Sequence, residues 1–275
     1  MSYVPRGDGA LDYYPCRYGA SKLLFRGPRR KVEEAAIAVL GGTETYGRFI
    51  EQPFPALIEA TTGAKVLNLG YPNAGVDVFL NDPTVIELCQ KAQVTVVQVL
   101  GAQNLTNRFY AVHPRRNDRF LRASSLLKTI YREVDFTEVN FTRHLLNALS
   151  AASAEKFLMV EQELKEAWVA RMKTLITRID SKVHLLWMSD RSPDDARPVA
   201  FDGHDPLFVD RAMLNELAPM VAGTTEVAVT ADEVAQGMDE MVFSEIETAA
   251  ARGMLGPVAH RRAAEALAGS VMGRV

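Results

Sequence analysis

A chain of 275 residues with 48% apolar and 24% charged content has the composition of a soluble globular protein, enough for one large α/β domain or two small ones. A net charge of −3 argues against bulk electrostatic binding to nucleic acid. No apolar run approaches the ~20 residues of a membrane helix, and the opening MSYVPRGDGALDYYP lacks the apolar core of a signal peptide. The two cysteines, Cys16 and Cys89, stand in no metal-like spacing. The expectation is a cytoplasmic protein with free thiols that uses neither membrane nor nucleic acid.

Residues 1–34 are rich in Arg, Tyr, Pro and Gly and lack periodicity, so they read as an irregular arm that wraps the domain or a partner. Residues 35–275 read as a single domain. AAIAVL (35–40) is an apolar run too short for a helix and predicts a buried strand. PFPALIEATTG (53–63) predicts a helix with Pro in its first turn and Gly past its end. KVLNLG (65–70) and VTVVQVLG (94–101) predict the second and third strands, with a helix around 83–92 between them. About fifty residues (104–154) follow before the next clear element. Such a long connection carries function or structure of its own, here predicted helices at 125–134 and 141–149 forming a lid or subdomain.

In 155–179 the residues Phe157, Val160, Leu164, Trp168, Met172, Leu175 and Ile179 recur three or four apart, one buried helical stripe. KVHLLWMS (182–189) predicts a fourth strand, TEVAVT (225–230) a fifth, and 258–272 a closing helix. Strands alternating with helices imply crossover connections and a mostly parallel sheet.

In such a sheet, ligands bind beyond the carboxyl ends of the strands. The residues found there are Gly41-Gly42-Thr43-Glu44, then Asn68-Leu69-Gly70-Tyr71-Pro72-Asn73-Ala74-Gly75, then Gly101-Ala102-Gln103-Asn104, and Gly256-Pro257-Val258-Ala259-His260 at the last helix. This ordered set resembles the SGNH (GDSL-like) hydrolase superfamily. Its members carry a serine after strand one, a glycine after strand two, an asparagine after strand three and a histidine before the last helix. The resemblance implies a three-layer, flavodoxin-like α/β fold with an N-terminal arm and a helical insertion after strand three. It places Thr43 at the nucleophile, Gly70 and Asn104 at the oxyanion donors and His260 at the general base, and it implies no metal or organic cofactor. The chain also resembles an uncharacterised alphaproteobacterial family in PCRYG, GGTETYGRF, NLGYPNAGVDVF and VHPRRNDRF, which brings no activity with it.

Three positions depart from the superfamily pattern. Threonine replaces serine, Leu105 stands where an aspartate follows the asparagine, and Pro257 stands where an aspartate would orient the histidine. A Thr–His dyad, or one aided by Glu245 or Glu247, is the expected machinery. The β-methyl of Thr43 restricts χ1 and crowds an acyl carbon, so a hydroxyl that caps the turn is the alternative. Glu44 is either a second acid or base or a first-turn helix carboxylate. Asn73 and Asn104 are either polar pocket walls or turn residues. His184 lies within a strand and His144 on a helix of the insertion. His204, between Asp202 and Asp205, comes too early in the order, which leaves His260 as the base or as a capping histidine.

The basic stretch 108–122 carries Arg108, Arg115, Arg116, Arg119 and Arg122 against Asp118. It is expected either to bind phosphate, sulfate or carboxylate at the pocket rim or to form a salt-bridged face. Arg26, Arg29, Arg30 and Lys31 of the arm either join this patch or pair across a homodimer. The function expected is an esterase or acyltransferase acting on an acylated, anionic metabolite or glycan. The rival is a non-catalytic protein of the same fold that binds an anionic ligand or builds an assembly.

Overall fold

The computed structural model describes residues 11–195 and 205–272. The first ten residues of the arm, Asp202 and His204 lie outside the described residues.

The chain runs β1 (Ala35–Gly41), α1 (Thr43–Tyr46), α2 (Phe54–Thr62), β2 (Lys65–Gly70), α3 (Val76–Leu80), α4 (Pro83–Lys91) and β3 (Val94–Gln98). The insertion then supplies β4 (Tyr110–His113), β5 (Arg116–Ala123), α5 (Ser125–Ile130) and α6 (Thr142–Ala152). The chain continues through α7 (Ala154–Ile179), β6 (Lys182–Ser189), α8 (Arg211–Leu217), β7 (Gly223–Ala228), α9 (Ala231–Gly237), α10 (Thr248–Ala251) and α11 (Pro257–Met272). The strands pair in the order β2-β1-β3-β6-β7, every neighbour parallel.

The apolar runs make this sheet because successive side chains leave on opposite faces and both faces are covered. In β1, Ile37 and Val39 join one core and Ala38 and Leu40 the other, all fully buried. In β6, Leu186 and Met188 face the first core and Leu185 and Trp187 the second. The first core is closed by α2 and α11, through Phe54, Ile58, Ala259, Ala263 and Leu267. The second is closed by α3, α4, α6, α7 and α8. The result is a three-layer α/β fold with a central parallel sheet of five strands.

The expected stripe of α7 is buried at all seven positions. At its centre Trp168 donates its indole N–H to the Leu100 carbonyl at 2.8 Å, tying the helix to the chain just past β3. No helix among the described residues is long and apolar enough to cross a membrane. Cys16 and Cys89 are both free, and Cys89 is buried.

The insertion differs from its expectation. It opens with the antiparallel hairpin β4–β5, and the helix expected over 125–134 stops at Ile130. Tyr110, Val112, Asn117, Phe120 and Ala123 turn inward while Arg115, Arg116, Arg119 and Arg122 stay exposed. Burial alternates in β4, as a half-buried strand requires, whereas in β5 the buried residues recur every third position across an irregular register, and the density of arginine concealed both.

The described part of the arm is held against the domain at several points. Cys16 and Phe25 form a backbone bridge, Ser21 Oγ donates to Asp82 at 2.7 Å, and Phe49 N–H donates to Tyr13 Oη at 3.0 Å.

Candidate functional site

The strand order doubles back about β1, since β2 lies on one side of it and β3 on the other. The crevice beyond the carboxyl ends of β1 and β3 is therefore the switch point at which open parallel sheets take ligands.

The turn out of β1 is built by glycine and by a glutamine that sequence reasoning passed over. A Cβ on Gly41 would overlap Thr45 Oγ1 and Gln98 Oε1, so only glycine lets the chain pass. Gln98, fully buried at the end of β3, accepts three hydrogen bonds at Oε1: Gly42 N–H (3.0 Å), Thr45 N–H (3.2 Å) and Thr45 Oγ1 (2.6 Å). Its Nε2 donates to Glu44 Oε2 at 3.0 Å. This engagement holds Glu44 at the start of α1 as a partner of Gln98. Helix α1 ends after one turn at Gly47, which is left-handed at φ 74°.

After β2 the chain turns at Tyr71-Pro72-Asn73-Ala74, with Ala74 N–H bonded to the Tyr71 carbonyl at 3.1 Å. Asn73 is left-handed at φ 55°. Proline followed by a positive-φ asparagine is the pattern of a type II turn, so this geometry was written in the sequence. The turn aims Asn73 N–H at Thr43 Oγ1 (3.1 Å), and the Thr43 hydroxyl donates to Asn73 Oδ1 (3.4 Å). Asn104 Nδ2 donates to the Asn73 carbonyl at 3.5 Å, and Asn104 Oδ1 accepts from Thr142 Oγ1 of α6 at 2.7 Å. Asn73 Nδ2 in turn donates to Asp118 Oδ2 of the hairpin at 3.3 Å. Burial pushes the Asp118 carboxyl above its ordinary value, opposed by its own backbone, the nearby Arg119 and Arg116 and the Asn73 amide.

Thr43, Asn73 and Asn104 thus converge at the switch point, with Thr43 7% and Asn104 5% exposed. Gly70 does not join them. Its N–H donates to Asn68 Oδ1 at 2.9 Å, and a Cβ there would overlap the α1 backbone at Tyr46 N. Gly70 is where β2 and α1 touch, and the backbone donor beside the hydroxyl belongs to Asn73. Gly70→Ala is expected to cost about 1–3 kcal/mol in urea unfolding, because the new methyl meets backbone and α1 must move.

His260 lies in the first turn of α11, 1% exposed. Its Nδ1 accepts from Phe54 N–H at 3.1 Å and its ring stacks on that of Phe54. Phe54 opens α2 behind Pro53, which offers no side-chain cap, so the imidazole satisfies the orphan donor of that helix start. The expected hydrogen bond from Thr43 to His260 is not formed; the hydroxyl's partners are both on Asn73. Burial drives the His260 pKa down to about 3, assisted by the Arg26 charge. Glu247, one of the two carboxylates considered as orienting groups, bonds Ser244 and faces Arg48.

The arginines of the basic stretch also lie differently from the expected rim. Arg108 pairs with Glu163 of α7 and reaches Glu166 at 4.0 Å. Arg119 lies over the Phe141 ring at 4.7 Å. Arg115 and Arg116 occupy the exposed hairpin turn, their N–H groups donating to His113 Nδ1 at 3.2 Å each. Beneath them Asn117 accepts from Gly75 and Val78 N–H at 3.1 and 3.0 Å, fastening the hairpin to α3. His144 is exposed on α6, and buried His184 meets Thr225 Oγ1 at 2.8 Å. Among the described residues no group of three or more His, Cys, Asp or Glu is placed to hold a metal ion.

One family model matches the chain over residues 1–275. The chain belongs to DUF6473, a domain of unknown function. No curated protein matches this member of the family. Among solved structures it is similar to the lipase Lip_vut3 from goat rumen metagenome, with 14% identity, a TM-score of 0.38, and coverage of 87% of this chain and 97% of that one. It is also similar to a gut microbial diltiazem-metabolizing enzyme, with 12% identity, a TM-score of 0.40 and coverage of 86% of this chain. The match spans 47% of the length of that second enzyme.

Proposed function

We propose that the chain is a hydrolase-like fold whose strand-end site binds an uncharged, hydroxyl-bearing small molecule or glycan without cleaving it. The observation that carries this reading is the engagement of His260: its Nδ1 is committed to Phe54 N–H, and its basicity is held near a pKa of about 3. A general base works best with a pKa near the working pH. A hydroxyl nucleophile also needs such a base within hydrogen-bond reach, and the partner of Thr43 is a neutral amide.

Ligand class follows from what surrounds the hydroxyl. The amides of Asn73 and Asn104 and the hydroxyls of Thr43 and Thr142 offer both donors and acceptors. Asp118 is hydrogen-bonded to Asn73 and Glu44 to Gln98 of the same turn, both carboxylates, while Arg108 is drawn off to α7. That balance disfavours the anionic ligand expected from the basic stretch and favours hydroxyl groups.

A second reading, the esterase or acyltransferase, has one observation in its favour. Asn73 N–H beside the Thr43 hydroxyl is the arrangement in which a backbone donor would meet a developing oxyanion. Hydrolysis of p-nitrophenyl acetate, followed for wild type and Thr43→Val, separates the two. Binding without chemistry gives the buffer rate in both proteins. Turnover present in wild type and lost in Thr43→Val would return the chain to the hydrolases. On the binding reading, amide resonances of Asn73 and Asn104 shift with at least one of a series of methyl glycosides.

A further inference from the structure

A concave site lies along the outer edge of the sheet, away from the switch point. The arm, β2 and α2 enclose a cavity of about 310 Å³, within the size range of small-molecule pockets. Tyr14, Pro28, Pro53, Pro55 and Ala56 supply much of its apolar wall, and Arg26 and Arg30 its cationic groups.

The two arginines differ in how their charge is met. Arg30 pairs with Glu59 at 2.8 Å. Arg26 is only 7% exposed, and its guanidinium donates to three backbone carbonyls: Tyr46 (3.3 Å), Gly47, and Glu51 (2.8 Å). The ring of Tyr13 lies 5.2 Å away. Carbonyls and a ring orient a guanidinium but carry no net charge. Among the described residues no carboxylate is within ion-pair distance of Arg26. Three of the five guanidinium N–H groups are used, which leaves two donors on a side chain that lines the cavity. Desolvation lowers its pKa, as expected of a buried cation without a counter-charge.

We propose that this cavity binds a compact monocarboxylate, the carboxylate taking the two remaining donors of Arg26 and the apolar body lying against the prolines and Tyr14. A single negative charge is specified because Asp12, Glu51 and Glu59 also line the wall and would repel a polyanion. Binding here also bears on the switch point. The same guanidinium closes the end of α1, the helix that begins at Thr43.

Calorimetric titration with sodium benzoate tests the proposal, with benzyl alcohol as the uncharged analogue. Benzoate is expected to bind with a Kd of about 1 mM, and benzyl alcohol at least about tenfold more weakly. Ala56→Phe puts a ring into the cavity from an exposed position of α2, and is expected to weaken benzoate at least about tenfold while leaving the thermal midpoint of the free protein unchanged. Arg26→Met should abolish binding where the variant folds. The Ala56 variant and the alcohol keep the test decisive if it does not. No benzoate heat with folded wild type, equal affinity for the alcohol, or unchanged affinity in Ala56→Phe would each overturn the site.

Discussion

Acidification from about pH 7 to about pH 5 is expected to remove about 2 kcal/mol of stability through His260 alone. The unfolded imidazole titrates near its ordinary value of 6.5, whereas the folded one is held to about 3. Between these values the unfolded chain binds a proton that the native state refuses. The contribution is fully present above about 6.5 and is lost as pH falls toward the folded value. The structural causes are concrete. A proton on Nδ1 would abolish acceptance from Phe54 N–H, and the resulting cation would lie at the start of both α2 and α11, where helix dipoles oppose it. Arg26 adds its own repulsion. Urea unfolding of wild type and His260→Asn at both pH values measures the effect, since Asn Oδ1 keeps an acceptor that does not titrate. Equal pH dependence in the two proteins would show that His260 is not the group responsible.

Gln98→Leu is expected to be the more damaging substitution at constant pH, costing about 3–5 kcal/mol, because several buried donors lose their acceptor together and each such loss costs about 1–3 kcal/mol. Leucine fills similar volume, so the loss reports hydrogen bonding in the turn and little cavity formation. Gly42 N–H, Thr45 N–H and the Thr45 hydroxyl all depend on the one amide oxygen. The expected signature is a lowered urea midpoint with an unchanged m-value. A cost below about 1 kcal/mol would mean that the turn finds other acceptors.

Much of the fold was legible because its strands are buried on both faces. Continuous apolar runs such as 35–40 and 182–189 have few other uses in a chain of this composition, and both match strands within one residue. The stripe of α7 was equally plain. The hairpin β4–β5 was hidden because its outward face is arginine, which reads as a charge run, and because its inward residues in β5 recur every third position rather than in alternation. At the site, order along the chain placed Thr43 and Asn104 together and assigned the backbone donor to Gly70, whereas the N–H beside the Thr43 hydroxyl is that of Asn73. That choice turned on a backbone dihedral, for which Pro72-Asn73 was the available signal. His260 illustrates a different gap. It shares helical spacing with Ala263, Leu267 and Val271, all buried, and that periodicity marks an inward-facing residue more firmly than motif order marks a base. Gln98 stood unremarked inside a strand, and the pairing of Arg26 with carbonyls of residues 46–51 depends on contacts no local pattern encodes.

The packing of α11 on α2 has a consequence for how the protein is made. The layer that covers Ile37, Val39 and Leu186 is assembled from one helix near the beginning of the domain and another some two hundred positions later. On the ribosome, β1, β2 and β3 can pair and collect α3, α4 and α7 on one side as they emerge. Their other side is covered only by α2 until α11 has been synthesised, and the nascent sheet is then a sticky half-sandwich with α2 lacking its imidazole cap. A stalled chain ending before residue 257 should therefore bind Hsp70-type holdases and resist release, whereas extension through α11 should free it. In vivo abundance should follow the rate at which that final helix is delivered more closely than the stability of the finished fold.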